Sequence, residues 1–270
     1  MAKIADWSGR EIEIGTSAGG VKAVVDPWDN FVRTGISPWP PPELIQKLYQ
    51  SRQARAFVDI EHSTITSRLG FYSDLQSIHS EDSITWSFFG PPIYAESAAR
   101  TNFVEELLML VGVPGSARNA RIWLWRRLPH PDTLVPGGPE IDFGIQTDEV
   151  FLLGEAKWRS AVGAAQGANR EKDQITLRRE FCQKYGRRLL PDVRRFGILG
   201  VSWKGGMLPH ADTEAGDVLL HLRDVTWEAL SSIQAHPCAE ELRQYLKWKI
   251  EHSIAYKLPA RPENPRHSRR

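Results

Sequence analysis

Glu140-Ile141-Asp142-Phe143-Gly144-Ile145-Gln146 runs into Thr147-Asp148-Glu149 and then into Val150-Phe151-Leu152-Leu153-Gly154-Glu155-Ala156-Lys157. Ile141, Phe143 and Ile145 alternate with Glu140, Asp142 and Gly144, which is the period of a strand with one face covered. Thr147-Asp148 supplies turn chemistry, and Val150 to Leu153 resumes an apolar run of strand type. The stretch therefore predicts a β-hairpin. With Thr147-Asp148 as a two-residue loop, residue i faces residue 295 − i, which sets Asp142 opposite Leu153. Side chains two residues apart share a face, so residues 153, 155 and 157 lie on the face of Asp142. Asp142 and Glu155 become diagonal neighbours, about 7–8 Å apart at their backbones. Two carboxylates that close do not both stay ionised cheaply without a cation between them. Lys157 extends from the same face one pleat further on.

Working outward, Gln174, Leu177, Phe181 and Tyr185 recur at helical spacing and predict a helix from about Asn169 to Tyr185, ended by Gly186. Arg195-Phe196-Gly197-Ile198-Leu199-Gly200-Val201-Ser202-Trp203 reads as a buried strand. Upstream, Ala120 to Leu128 reads as the strand before the Asp142 strand, and Thr101 to Val111 as the helix before that. The order is helix, three meandering strands, helix, strand.

A hard divalent cation suits paired carboxylates, because Mg²⁺ takes oxygen ligands at about 2.0–2.1 Å and keeps waters that a phosphate can displace. Asp142 together with Glu155-Ala156-Lys157, the one E-x-K in the chain, resembles the PD-(D/E)XK nuclease superfamily. Asp142 matches its second-strand Asp, although Ile141 stands where the Pro of the family name would be. The resemblance covers about residues 80 to 205. It implies an α/β, restriction-endonuclease-like core, a mixed central sheet flanked by helices, with an N-terminal helical extension. It also implies a metal-dependent nuclease acting on DNA in defence or repair, with Mg²⁺ or Mn²⁺ held by Asp142, Glu155 and the Ala156 carbonyl. Lys157 would orient the attacking water or stabilise developing charge. A fold kept as a nucleic-acid-binding or scaffold subunit without turnover is the alternative, and RNA is not separated from DNA as the substrate.

Many relatives carry a Gln on the helix after the motif, and Gln174 matches it; some continue Q-x-x-x-Y, where this chain has Arg178. An Arg there could hold a phosphate, and the same face would equally serve as a solvated surface. The superfamily often adds an acid from its first core helix, and two candidates compete. Glu81 follows Ser80, a helix N-cap residue, in Ser80-Glu81-Asp82-Ser83-Ile84-Thr85-Trp86. Glu105 lies in Phe103-Val104-Glu105-Glu106-Leu107-Leu108, on the helix nearest the strands.

At 270 residues, 41% hydrophobic and 25% charged, the chain can bury a core of ordinary globular type. Cys182 and Cys238 are too few for a disulfide framework, a paired-Cys zinc site or the cysteine cluster of the iron–sulfur nucleases. They fit a reducing cytoplasm. Neither a secretory leader nor a run of about 20 apolar residues is present, so no membrane partner is expected. The net charge is only +1, yet residues 157 to 195 hold eleven basic residues against four acids after Glu155, an excess able to hold phosphates. Residues 1–79 read as a partly helical extension with a helix from Pro42 to about Ala56, which could pack on the core, read DNA or engage a partner protein. Residues 80–256 read as the nuclease-like domain, closing on helical stretches at Asp224 to Ile233 and Ala239 to Tyr256. Residues 257–270 read as a basic tail lacking a fold of its own. A homo-oligomer is expected, since relatives commonly pair their sites.

Overall fold

The computed structural model describes residues 2–16, 21–50, 74–132, 140–159, 172–215 and 218–253. Three strands open the chain, β1 (Ala2–Ala5), β2 (Glu11–Thr16) and β3 (Lys22–Val24), followed by helix α1 (Pro42–Gln50). Helices α2 (Glu81–Tyr94) and α3 (Ser97–Val111) then lead into β4 (Arg121–Arg127), β5 (Glu140–Gln146) and β6 (Val150–Ala156). Helix α4 (Gln174–Leu189), β7 (Arg195–Ser202), β8 (Ala211–Ala215), β9 (Val218–Thr226), α5 (Trp227–Ser231) and α6 (Ala239–His252) complete it.

The main sheet has six strands in the order β4-β5-β6-β7-β9-β8. Its β4, β5 and β6 are antiparallel, β6, β7 and β9 are parallel, and β8 returns antiparallel to β9. The architecture is thus α/β with a mixed sheet flanked by helices. Strand β6 is buried along its whole length, as a strand covered on both faces must be. Leu152, Leu199 and Val201 face a core shared with α2, α3, α5 and α6. Phe151, Leu153, Phe196 and Ile198 face a second core closed by Phe181 and Cys182 of α4. Among the described residues no helix is long and apolar enough to cross a membrane.

Several expectations need correction. Phe143 pairs with Gly154 and Gln146 with Phe151, so the hairpin register is slid by two residues from the one a two-residue loop would set. The Thr147 hydroxyl accepts from the backbone N–H of both Glu149 and Val150, which holds a wider turn. A slip of two preserves parity, and it brings Asp142 level with Glu155 instead of diagonal to it. Helix α4 starts at Gln174, where the Asp173 side chain accepts from Thr176 N, and it runs through Gly186 to Leu189. Gly186 does not end the helix; a Cβ there would stand 2.9 Å from the Phe196 ring, so this glycine serves helix–strand packing. The N-terminal extension is not simply helical, because β1, β2 and β3 form an antiparallel sheet of their own. Asp224 to Thr226 belong to β9, and only Trp227–Ser231 of that predicted helical stretch is α-helix. The predicted ends at Ala56, Tyr256 and Asn169, and the tail 257–270, lie outside the described residues.

Alternation along the β4–β5 pair also breaks. Trp123 packs with the α4-side core while Trp125 packs with the other, and Ile141 and Phe143 divide in the same way. Trp125 has φ +51°, a left-handed conformation that costs a bulky residue about 1–3 kcal/mol. It lies between the Leu124–Phe143 and Arg126–Ile141 pairs, across from Asp142. The locally strained backbone adjoins the carboxylate that the sequence singles out.

Candidate active site

The site forms where β5 and β6 part. Their ladder ends at Phe143–Gly154, and the Ala156 N–H donates to Asp142 Oδ2 at 2.7 Å. Strand β6 stays paired with β7 to Ala156–Val201, and Lys157 N continues to Val201 O at 2.8 Å. Asp142, Ala156 and Lys157 are therefore carried on a frame fixed from one side and open on the other.

Glu155 lies beneath the opening and is only 1% exposed. Arg178 of α4, equally buried, forms an ion pair with its Oε2. Gln174, one turn earlier, donates its amide nitrogen to Oε1 at 2.6 Å and Oε2 at 3.1 Å when that nitrogen is turned toward the carboxylate. Lys157 Nζ approaches Oε1 at 2.8 Å. A buried carboxylate needs such partners, since an ion removed from water without them is severely penalised.

Burial, and then the charge of Glu155, push the Asp142 carboxyl up to about 7, against the opposing pull of Lys157, Arg178 and the Ala156 N–H. Burial pulls Lys157 down, but Asp142, Glu155 and Glu81 together hold its ammonium above its ordinary value. That ammonium sits among oxygens: Glu155 Oε1, the Ala156 carbonyl at 3.1 Å and, further off, Glu81 Oε1 at 3.9 Å.

The first turn of α2 supplies the opposite wall. Ser80 caps the helix by accepting from Ser83 N, and this fixes the direction in which Glu81 and Asp82 leave it. Glu81 Oε2 accepts from Trp158 N at 2.8 Å. Asp82 meets Lys47 of α1 at 3.3 Å, and Lys47 also reaches Glu140 at 2.5 Å. Burial, with help from Glu140 and Glu81, raises the Asp82 carboxyl, while Lys47 opposes the shift. Between the walls is an open cleft of about 320 Å³ bounded by His79, Glu81, Asp82, Asp142, Ala156 and Lys157, among others.

The structure thus brings Asp142, Glu155, Ala156, Lys157, Gln174 and Glu81 to one place. It does not bring Glu105 there, which is exposed on α3 and absent from the cleft. Arg178 does not project outward to hold a phosphate, because its guanidinium is spent on Glu155. Much of the basic excess after Glu155 is spent likewise: Lys172 and Lys184 pair with Asp132, and Arg195 with Glu149. Sequence reasoning missed Lys47, Asp82 and His79. Asp82 follows Glu81 in the same capped turn and could have been considered with it; Lys47 carries no local signal.

Among the described residues, no three His, Cys, Asp or Glu side chains gather as a metal-binding group. The cleft nevertheless carries hard oxygen donors from Asp142, Glu81 and Ala156 beside the Lys157 ammonium, with the Glu155 carboxylate buried behind that ammonium, and such oxygens suit Mg²⁺ or Mn²⁺ in kind. A cation entering here would compete with the Lys157 ammonium for Glu155 Oε1 and the Ala156 carbonyl. No protein-family model, curated protein or solved structure matches the chain.

Proposed function

We propose that the chain is a metal-dependent nuclease of the PD-(D/E)XK type that hydrolyses phosphodiester bonds in DNA. One observation carries this reading: at the β5–β6 fork, Asp142, Ala156 and Lys157 line a cleft that Glu81 faces from α2, with the buried Glu155 carboxylate directly behind Lys157. Asp142, Glu155 and Ala156 would hold a divalent cation, which when bound supplies Lewis-acid polarisation of the phosphodiester and an acidified water. Lys157, displaced from Glu155 Oε1, is placed to orient that water and to stabilise charge developing on the phosphoryl oxygens. Gln174 and Arg178 fix the Glu155 carboxylate in one orientation from α4, as outer partners of a ligand commonly do. Glu81 is held at the cleft wall by Trp158 N through Oε2 and turns Oε1 toward Lys157 at 3.9 Å.

A binding module without turnover is the second reading, and a specific observation favours it. Glu155 is already neutralised by Arg178 and Lys157, so the site is satisfied without a metal. Incubating the purified protein with supercoiled and linear DNA in Mg²⁺, Mn²⁺ or EDTA separates the two. Cleavage in either metal, absent in EDTA and in Asp142→Ala, supports the nuclease. DNA binding without cleavage in any metal selects the binding module.

A further inference from the structure

Every ammonium in the cleft is already claimed. Lys157 lies between Glu155 and Glu81, and Lys47 between Asp82 and Glu140. A DNA strand nonetheless brings a further negative charge about every 3.4 Å of its axis, and the phosphates beside the cut one must pass a wall bearing Glu81, Asp82 and Asp142. Some cation at the rim has to receive them.

Resting on the nuclease reading, we propose that Arg159 is that cation: a positioning residue that grips a backbone phosphate of the DNA strand next to the scissile one, aligned by Trp203 and His79. Arg159 leaves the frame two residues beyond Lys157 and is exposed. Unlike Lys157, Lys172, Arg178 and Lys184, it meets no carboxylate among the described residues. Its guanidinium lies 5.7 Å from the Trp203 ring centre. Trp203 in turn packs at 4.4 Å on Trp158, whose indole N–H donates to Ser253 Oγ at 3.0 Å. A guanidinium laid on a fixed ring loses little freedom when a phosphate arrives, and its remaining N–H groups match phosphate geometry.

His79 holds the inner end. It lines the cleft, and its Nε2 is 3.4 Å from Arg159 Nη1 and 3.1 Å from the Ser253 carbonyl. A neutral ring nitrogen either donates or accepts. When Nε2–H donates to Ser253, that nitrogen cannot also accept from Arg159, and a phosphate oxygen can take its place as the acceptor of the Arg159 Nη1–H.

Binding of a labelled duplex oligonucleotide by the full chain, measured in Ca²⁺ across a salt series, together with steady-state cleavage in Mg²⁺, tests this. Arg159→Ala is expected to weaken binding about tenfold and to reduce the slope of log K against log salt by about 0.9. KM should rise while kcat stays within about twofold, as for lost uniform binding. Arg159→Lys should restore the slope but not the full affinity. Unchanged affinity and slope in Arg159→Ala, with a wild type that cleaves DNA, would overturn the grip and leave the nuclease standing. A wild type that neither binds nor cleaves DNA overturns both, and Arg159-dependent binding confined to RNA overturns the DNA assignment.

Discussion

Burial beside Glu155 lifts the Asp142 carboxyl to about 7, and the sign of its effect follows by linkage. The folded protein keeps a proton that the unfolded chain has released between about pH 4 and 7, so without metal this group favours the fold increasingly as pH falls from above 7. On the proposed reading the metal would need the carboxylate, so protons and metal would compete. Titration calorimetry with Mn²⁺ should show affinity rising up to about tenfold per unit as pH approaches 7 and levelling above it, and Asp142→Asn should abolish that dependence. Glu155 differs, because its charge is matched to a buried Arg178. Glu155→Ala strands that guanidinium and should cost about 3–5 kcal/mol in denaturant unfolding, whereas Glu155→Ala combined with Arg178→Met should recover most of the loss. Activity should be absent from both variants, which separates the ligand role from the structural one. On the helix wall, Glu81→Gln should reduce cleavage steeply and Glu105→Gln should be nearly silent, as expected of an exposed carboxylate; equal rates in the two variants would remove Glu81 from the chemistry. Asp142, Glu155 and Lys157 were legible because one hairpin carries them and strand parity survives a slip of two. Lys47 was not, since nothing local marks a residue that meets Asp82 and Glu140 only through the tertiary fold.

Where β5 crosses β6, the pairing depends on a missing side chain. Phe143 stacks at 4.0 Å on Phe89 of α2 and lies over Gly154, where a Cβ would stand 2.2 Å from its ring. Gly154→Ala must push that ring or widen the strands, so thermal and denaturant melts should show a loss of about 1–3 kcal/mol; because Glu155 is the next residue, metal affinity should fall with it. A melt equal to wild type would mean that the ring is not held between Phe89 and β6. The same geometry explains what could be read at this level. The apolar runs of β4, β6 and β7 and the helical spacing of α4 are local signals, and the structure contains all four elements. Strand β9 was concealed by its own polar residues: His221 and Arg223 are buried and held by Asp212 of β8, a cross-strand arrangement that hydropathy reads as surface. In contrast, Glu11-Ile12-Glu13-Ile14 carries a plain period of two, with Ile12 and Ile14 buried, and would have betrayed β2.

The N-terminal strands and α1 are packed into the body that holds the site. Ile12, Ile14 and Val24 share a core with Ile78 and Trp248, and Lys47 ties α1 to both walls of the cleft. This whole body presents one Asp142–Glu155–Lys157 constellation, and one constellation holds one scissile phosphate at a time. On the nuclease reading a lone chain would nick one strand per encounter, and a double-strand break would need a second site or a second visit. The two strands of a duplex run antiparallel, so a twofold pair of chains would present its two sites to them in matching orientation. The pairing expectation is tested by following supercoiled circles in Mg²⁺ at several protein concentrations alongside sedimentation of the protein. A homo-oligomer should convert circles to linear form without accumulating nicked circles, with a rate that falls faster than linearly on dilution. A strict monomer that accumulates nicked circles would overturn the pairing while the nuclease reading stands, because nicking in metal still requires the site at the β5–β6 fork.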